Sequence, residues 1–158
     1  LIEALSHTRT PVKLRLCGIS SFSEYSSELE TLTDRLGLRG RVFIEHRWIT
    51  EDEKSERLAP ALAVAYIPFD EDSYGYVSLE ASHACKAILT TTDSGGVTEL
   101  VVDSVNGYVC APEPQALAEA IDRLFLDRSR ALAMGRAAYQ RVLDLGITWE
   151  NVVQKLLT

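Results

Sequence analysis

An α/β fold built on a parallel sheet is what this sequence predicts, and three observations predict it. Short β-branched apolar runs alternate with stretches of helical periodicity. The turns between them carry Gly, Pro, Ser, Thr or Asp. The alternation requires right-handed crossovers, which put successive strands parallel. At 158 residues and 46% hydrophobic, the chain is long and apolar enough for one domain with a sizeable core.

In order along the chain, the strand candidates are residues 12–17, 42–45, 61–67, 87–91 and 108–110. Between them, residues 24–36 read as a helix stopped by Gly37, and residues 51–58 as one that follows Thr50. The run Glu51-Asp52-Glu53 is read as the charged first turn of that helix, with no further role. Residues 76–85 and 97–102 are the next two helices. After Pro112 and Pro114 the pattern is helical throughout: 115–126, 129–143 and 148–157. Leu117, Ala120, Ile121 and Leu124 recur at helical spacing and read as core.

Sixteen Lys and Arg against 23 Asp and Glu give a net charge of −7, which argues against a nucleic-acid or anionic-membrane surface. Cys17, Cys85 and Cys110 are odd in number and far apart, which argues against a disulfide framework or a zinc site and for a reducing, cytoplasmic setting. His46 and His83 have no metal-ligand spacing around them, so no metal is expected. No apolar run reaches the roughly 18 residues of a membrane span.

The candidate site lies after the third strand, in the stretch from Ile67 through Asp70-Glu71-Asp72-Ser73-Tyr74-Gly75-Tyr76 to Glu80. Open α/β sheets bind ligands at such strand-to-helix turns. Gly75 permits close approach of backbone to a ligand, and the N–H groups of Tyr74, Gly75 and Tyr76 are expected to point outward at a helix start that suits phosphate or sugar oxygens. Glu80 is four residues past Tyr76, on the same helical face and about 6 Å along the axis, where a carboxylate can accept from both hydroxyls of a ribose. Asp72 is placed to accept from hydroxyls of a second ring. After the fourth strand, Gly95-Gly96 repeats the device: its N–H groups are expected to face the same crevice, and Glu99 caps that turn or reaches the ligand. Against this stand plainer readings, in which Asp72 is a solvated turn residue, Glu80 complements a helix dipole and the glycines serve a tight turn.

At these residues the sequence resembles the retaining, nucleotide-sugar-dependent glycosyltransferases of the two-Rossmann-domain, or GT-B, type, family 4. The family's pattern of two acids separated by seven residues, with an aromatic-Gly pair before the second and then Gly-Gly-x-x-Glu, stands here as Asp72 to Glu80 around Tyr74-Gly75, followed by Gly95-Gly96-Val97-Thr98-Glu99. Asn106-Gly107-Tyr108-Val109 before Pro112, and Trp149-Glu150, resemble later family features, so the likeness covers nearly the whole chain. It implies a Rossmann-like parallel sheet with helices on both faces, the C-terminal, donor-binding half of a GT-B fold. It also implies that Glu80 holds the nucleotide ribose, that backbone near Tyr74, Gly75 and Tyr76 meets the donor sugar and phosphates, and that Asp72 contacts the sugar hydroxyls. Asp72 is one methylene shorter than the family's usual Glu, with Glu71 beside it as a substitute. Arg47-Trp48-Ile49 matches the base pocket.

The resemblance further implies a single domain over 1–158, truncated at its N-terminus, with residues 1–5 as the helix that follows a first strand not included. That strand would be central, and without it either the sheet closes or its edges are exposed. The expected partners are a nucleotide-diphosphate sugar as substrate, with no cofactor, and an N-terminal Rossmann domain that holds the acceptor and is not in this chain; membrane association is a matter for the full-length protein. Alone, the fragment is expected not to turn over. Two other readings stay open: a non-catalytic α/β interaction module, and half of a sugar-nucleotide epimerase.

Overall fold

The structure is a computed structural model that describes residues 1–18 and 24–157. In chain order its elements are α1 (Ile2–His7), β1 (Leu14–Leu16), α2 (Glu24–Arg35), β2 (Val42–Ile44), α3 (Glu51–Leu58), β3 (Ala63–Ala65), α4 (Tyr76–His83), β4 (Ala87–Thr91), α5 (Val97–Leu100), β5 (Gly107–Cys110), α6 (Pro114–Leu126), α7 (Arg128–Asp144) and α8 (Trp149–Leu156).

Local chemistry sets most of these boundaries. Thr50 closes a capping box with Glu53 at the start of α3. Pro114 occupies the first turn of α6, where its missing N–H costs nothing. The Asp127 side chain accepts from the Arg130 amide at 2.8 Å and starts α7, and Thr148 does the same for Asn151 at 3.2 Å in α8.

β3, β4 and β5 form a parallel sheet in that order, with Ala63 opposite Ala87 and Ile88 opposite Gly107. Alternation along the strands divides the core. Ala87 and Leu89 turn toward Ala4 of α1, Leu117, Ala120 and Leu124 of α6, and Ala131 and Met134 of α7. Ile88 turns the other way, toward Ala81 of α4, Val97 of α5, Val101 and Ala138 of α7. Helices therefore cover both faces of this sheet, and every residue of β4 is buried. Burying Ile88 and Leu89 completely is worth about 1.5–3 kcal/mol each.

β1 and β2 pair in parallel as a separate two-stranded sheet. Leu14, Leu16, Val42 and Ile44 pack with Ile2 and Leu5 of α1 and Leu29 and Leu32 of α2. The five strands do not close into one sheet: β1 pairs with β2 alone and β3 with β4 alone among the described residues. α1 joins the halves, since Ala4 enters one core and Ile2 and Leu5 the other. The turn after α1 is pinned to α6, where the Asp122 carboxylate accepts from the amides of Arg9 and Thr10 at 2.8 and 3.1 Å and from the Thr10 hydroxyl at 2.6 Å. β1 and β3 span three residues each, against the six and seven expected.

Candidate functional site

Because β3 and β4 run parallel, their C-terminal ends lie at one edge of the sheet, and the loops of residues 66–75 and 92–96 leave from that edge together. Two backbone hydrogen bonds fasten them. The Asp70 amide donates to the Asp93 carbonyl at 2.8 Å and the Gly96 amide donates to the Glu71 carbonyl at 2.7 Å. A Cβ on Gly95, whose φ is +63°, would lie 2.4 Å from the Glu71 carbonyl oxygen, and one on Gly96 2.8 Å from that of Ser73. The double glycine is thus required where one loop lies on the other. For Gly96 this corrects the expectation that its N–H faces the crevice, because that N–H is spent on the Glu71 carbonyl.

The acidic loop is organised around Glu71. Its Oε2 accepts from the Tyr66 hydroxyl at 2.9 Å and its Oε1 from the Ser73 hydroxyl at 3.1 Å. These two donors, Tyr66 first, hold the Glu71 carboxyl below its ordinary range, while burial and the same carboxylate push the Tyr66 phenol up. Gly75 is buried with φ +68°, and a Cβ there would stand 2.2 Å from Cε1 of the Tyr66 ring. Its amide donates to the hydroxyl of the exposed Ser73 at 3.2 Å, so one of the three N–H groups expected to meet a ligand already has a partner. Asp72 is exposed on this loop, and Tyr74 is half-buried.

α4 opens at Gly75 with no side-chain cap. The Ser78 hydroxyl donates back to the carbonyls of Tyr74 and Gly75 instead. The first-turn amides of α4 are therefore left to water or to a ligand, with the helix dipole behind them. The Tyr76 ring stands exposed beside them.

One turn further on, the Glu80 side chain keeps 38% of its surface exposed. Its Oε1 accepts from Lys54 Nζ at 2.7 Å, and the same ammonium reaches Glu51 Oε2 at 2.9 Å. Glu80 first and Glu51 second hold the Lys54 ammonium above its ordinary pKa. Lys54 comes from α3, whose register is fixed by the capping box and by Arg47, which donates to both oxygens of Glu53 at 3.0 and 2.5 Å. Arg47 also donates to the Trp48 carbonyl at 3.1 Å, so that backbone acceptor already has one partner, while the Trp48 ring is 83% exposed. Glu45 closes the cluster, ion-paired to Arg15, Arg57 and Arg47.

The structure thus brings Glu71, Gly75, Gly95 and Gly96 into one unit, with Tyr76 and Glu80 on the helix that follows. Arg47 and Trp48 lie in the loop before α3, the helix from which Lys54 reaches Glu80. Glu99 is exposed on the single turn of α5, and its carbonyl accepts from Arg141 at 3.0 Å. Tyr66, Ser73 and Lys54 were absent from the sequence-based set. Lys54 carried one signal: it is the sole base in the first four residues of an acidic helix. Among the described residues no group of three or more His, Cys, Asp or Glu is placed to hold a metal ion.

The family model described as glycosyl transferases group 1 matches residues 1–141. The chain is 33% identical over 146 residues to a D-inositol 3-phosphate glycosyltransferase of Xylanimonas cellulosilytica, covering 89% of this chain and 34% of that protein. It is 31% identical over 127 residues to the alpha-1,3/1,6-mannosyltransferase ALG2 of Dictyostelium discoideum, covering 80% and 30%. Among solved structures, Anabaena Alr3699/HepE in complex with UDP superposes with a TM-score of 0.81 at 28% identity, covering 99% of this chain and 43% of that one. The C-terminal domain of a group 1 glycosyl transferase from Francisella tularensis shares the fold, with a TM-score of 0.77 at 23% identity, covering 90% and 75%. The chain spans about a third of the length of the curated relatives it matches. On this evidence it belongs to the glycosyl transferases group 1 family and has the Rossmann-like fold of the C-terminal half of a GT-B protein.

Proposed function

We propose that this chain binds a nucleotide-diphosphate sugar as the donor half of a retaining glycosyltransferase whose acceptor is held by a second Rossmann-like domain. The observation that carries the reading is the start of α4, a helix N-terminus with no side-chain cap, one turn ahead of a half-buried carboxylate, Glu80. Such a start favours diphosphate oxygens, and the carboxylate favours ribose hydroxyls. Asp72 on the exposed loop is the acceptor offered to the sugar ring, and the Trp48 ring offers a face to the base. Catalytic assistance would be positional and electrostatic, with the helix start stabilising the departing diphosphate and no resident metal. The complexes of HepE with UDP and with UDP-glucose support a uridine nucleotide as the first candidate.

Calorimetric titration with UDP, GDP and ADP tests this. Saturable binding of one nucleotide, weakened by about 1.5–3 kcal/mol in Glu80→Ala, is the expected result. A second reading, a module that keeps the fold without the ligand, is favoured by the internal satisfaction of Glu71 and of the Gly96 amide. Absence of binding by every nucleotide would support it.

A further inference from the structure

Lys54 lies outside every residue to which the donor reading assigns a role, yet its ammonium is fixed between two carboxylates on different helices. Nζ stands 2.7 Å from Glu80 Oε1 and 2.9 Å from Glu51 Oε2. Two of its three N–H donors are thereby used, and the third has no partner among the described residues. On the partner side, Glu80 Oε1 is occupied and Oε2 has no partner among the described residues. One acceptor oxygen and one N–H donor of this ion pair are thus left for a ligand, on side chains that are 26% exposed at Lys54 and 38% exposed at Glu80.

From this geometry, and resting on the donor reading above, we infer that Lys54 is a positioning residue of the nucleotide site. It fixes the Glu80 carboxylate so that Oε2 accepts from one hydroxyl of a vicinal diol while the Lys54 ammonium donates to the oxygen of the other. A carboxylate alone can take two hydroxyl donors in either order. With one acceptor position of Oε1 taken by the ammonium, Oε2 keeps both of its own, and the ammonium offers a donor to the second hydroxyl. Carboxylate and ammonium together thus engage both hydroxyls of a ribose, and a deoxyribose forfeits one of the two contacts. Removing the cation takes away the one side-chain partner that Glu80 has among the described residues, so nothing then holds its carboxylate in the present orientation.

The test compares affinities by calorimetry for the tightest-binding of UDP, GDP and ADP and for its 2′-deoxy form, on the 158-residue chain and on Lys54→Met, Lys54→Arg and Glu80→Ala. The expected result is that Lys54→Met lowers affinity for the ribonucleotide about tenfold or more while the 2′-deoxy form changes less, so that the preference for ribose shrinks. Lys54→Arg, which keeps a cation against Glu80, retains the preference. Thermal melting of each variant accompanies the titrations, and if Lys54→Met fails to fold, Lys54→Gln replaces it. Wild-type affinity and wild-type ribose preference in Lys54→Met, with both lost in Glu80→Ala, would overturn the role of Lys54 and leave the donor reading standing. No binding of any of the three nucleotides by the wild-type chain would overturn both.

Discussion

The amide of Gly96 donates to the carbonyl oxygen of Glu71 across 2.7 Å, and this bond ties the loop after β4 to the loop after β3. The double glycine sits where two backbones touch, so its first requirement is steric. Replacing Gly95 by Ala puts a Cβ 2.4 Å from the Glu71 carbonyl oxygen in a backbone with φ +63°. Backbone strain of this kind costs about 1–3 kcal/mol before any displacement of the acidic loop is counted. Urea unfolding of Gly95→Ala should show a loss of at least that size, and nucleotide affinity should fall with it because Glu71 and Ser73 move.

The hydroxyl of Tyr66 is the largest of the influences that lower the Glu71 carboxyl pKa. Tyr66→Phe keeps the ring that rests against Gly75 and removes that hydroxyl. Carboxyl-carbon NMR titration should then find Glu71 titrating at higher pH than in the wild type, with the fold intact. An unchanged midpoint would mean that the Tyr66 hydroxyl does not set it.

Acid should loosen α3 before it loosens the β3–β4–β5 core. Arg57 and Arg15 depress the Glu45 carboxyl from 4.5 to about 2, and Arg47 with the Thr50 amide does the same for Glu53. Both groups have folded pKa values below their unfolded ones, so their contribution is fully present above about pH 4.5 and is lost as the pH falls toward 2. Both also lie at the surface, where salt screens such pairs. Stability measured between pH 5 and 2 should fall less steeply in Glu45→Gln than in the wild type, and 0.5 M salt, with its Debye length of about 4 Å, should flatten the wild-type curve.

Asn106 is 1% exposed and spans the turn between α5 and β5. Its Oδ1 accepts from the Val102 amide at 2.7 Å and its Nδ2 donates to the Leu100 carbonyl at 2.9 Å. Asn106→Ala strands both backbone groups, and a loss of about 2 kcal/mol or more is expected in thermal or urea unfolding.

Most of the fold could be read from local pattern. β4 runs over residues 87–91 as its apolar sequence predicts, because it is covered on both faces and a buried strand has no polar side to blur it. β5 begins at Gly107, one residue earlier than expected, because Gly107 pairs with Ile88. β1 and β3 shrank to their paired cores, since strand length depends on neighbours that a sequence window does not contain. At the site, Glu80 and the glycine-bearing turns carried a readable signal in spacing. The direction of each amide and the partner of each carboxylate did not, because Lys54 meets Glu80 across 26 residues and Gly96 meets Glu71 across a loop contact. The sequence reading assigns Lys54 no role; its own helix offers it Glu51, and only the fold brings it to Glu80.

The central claim is that a nucleotide diphosphate binds at the start of α4. Amide chemical-shift mapping during titration with UDP, GDP or ADP tests it most directly, since the first-turn amides of Tyr76, Val77 and Ser78 are the donors in question. Saturable shifts concentrated on those three amides and on Glu80, lost in Glu80→Ala, are the predicted result. Saturable shifts that leave α4 untouched and gather elsewhere, such as along α2 and β2, would contradict it.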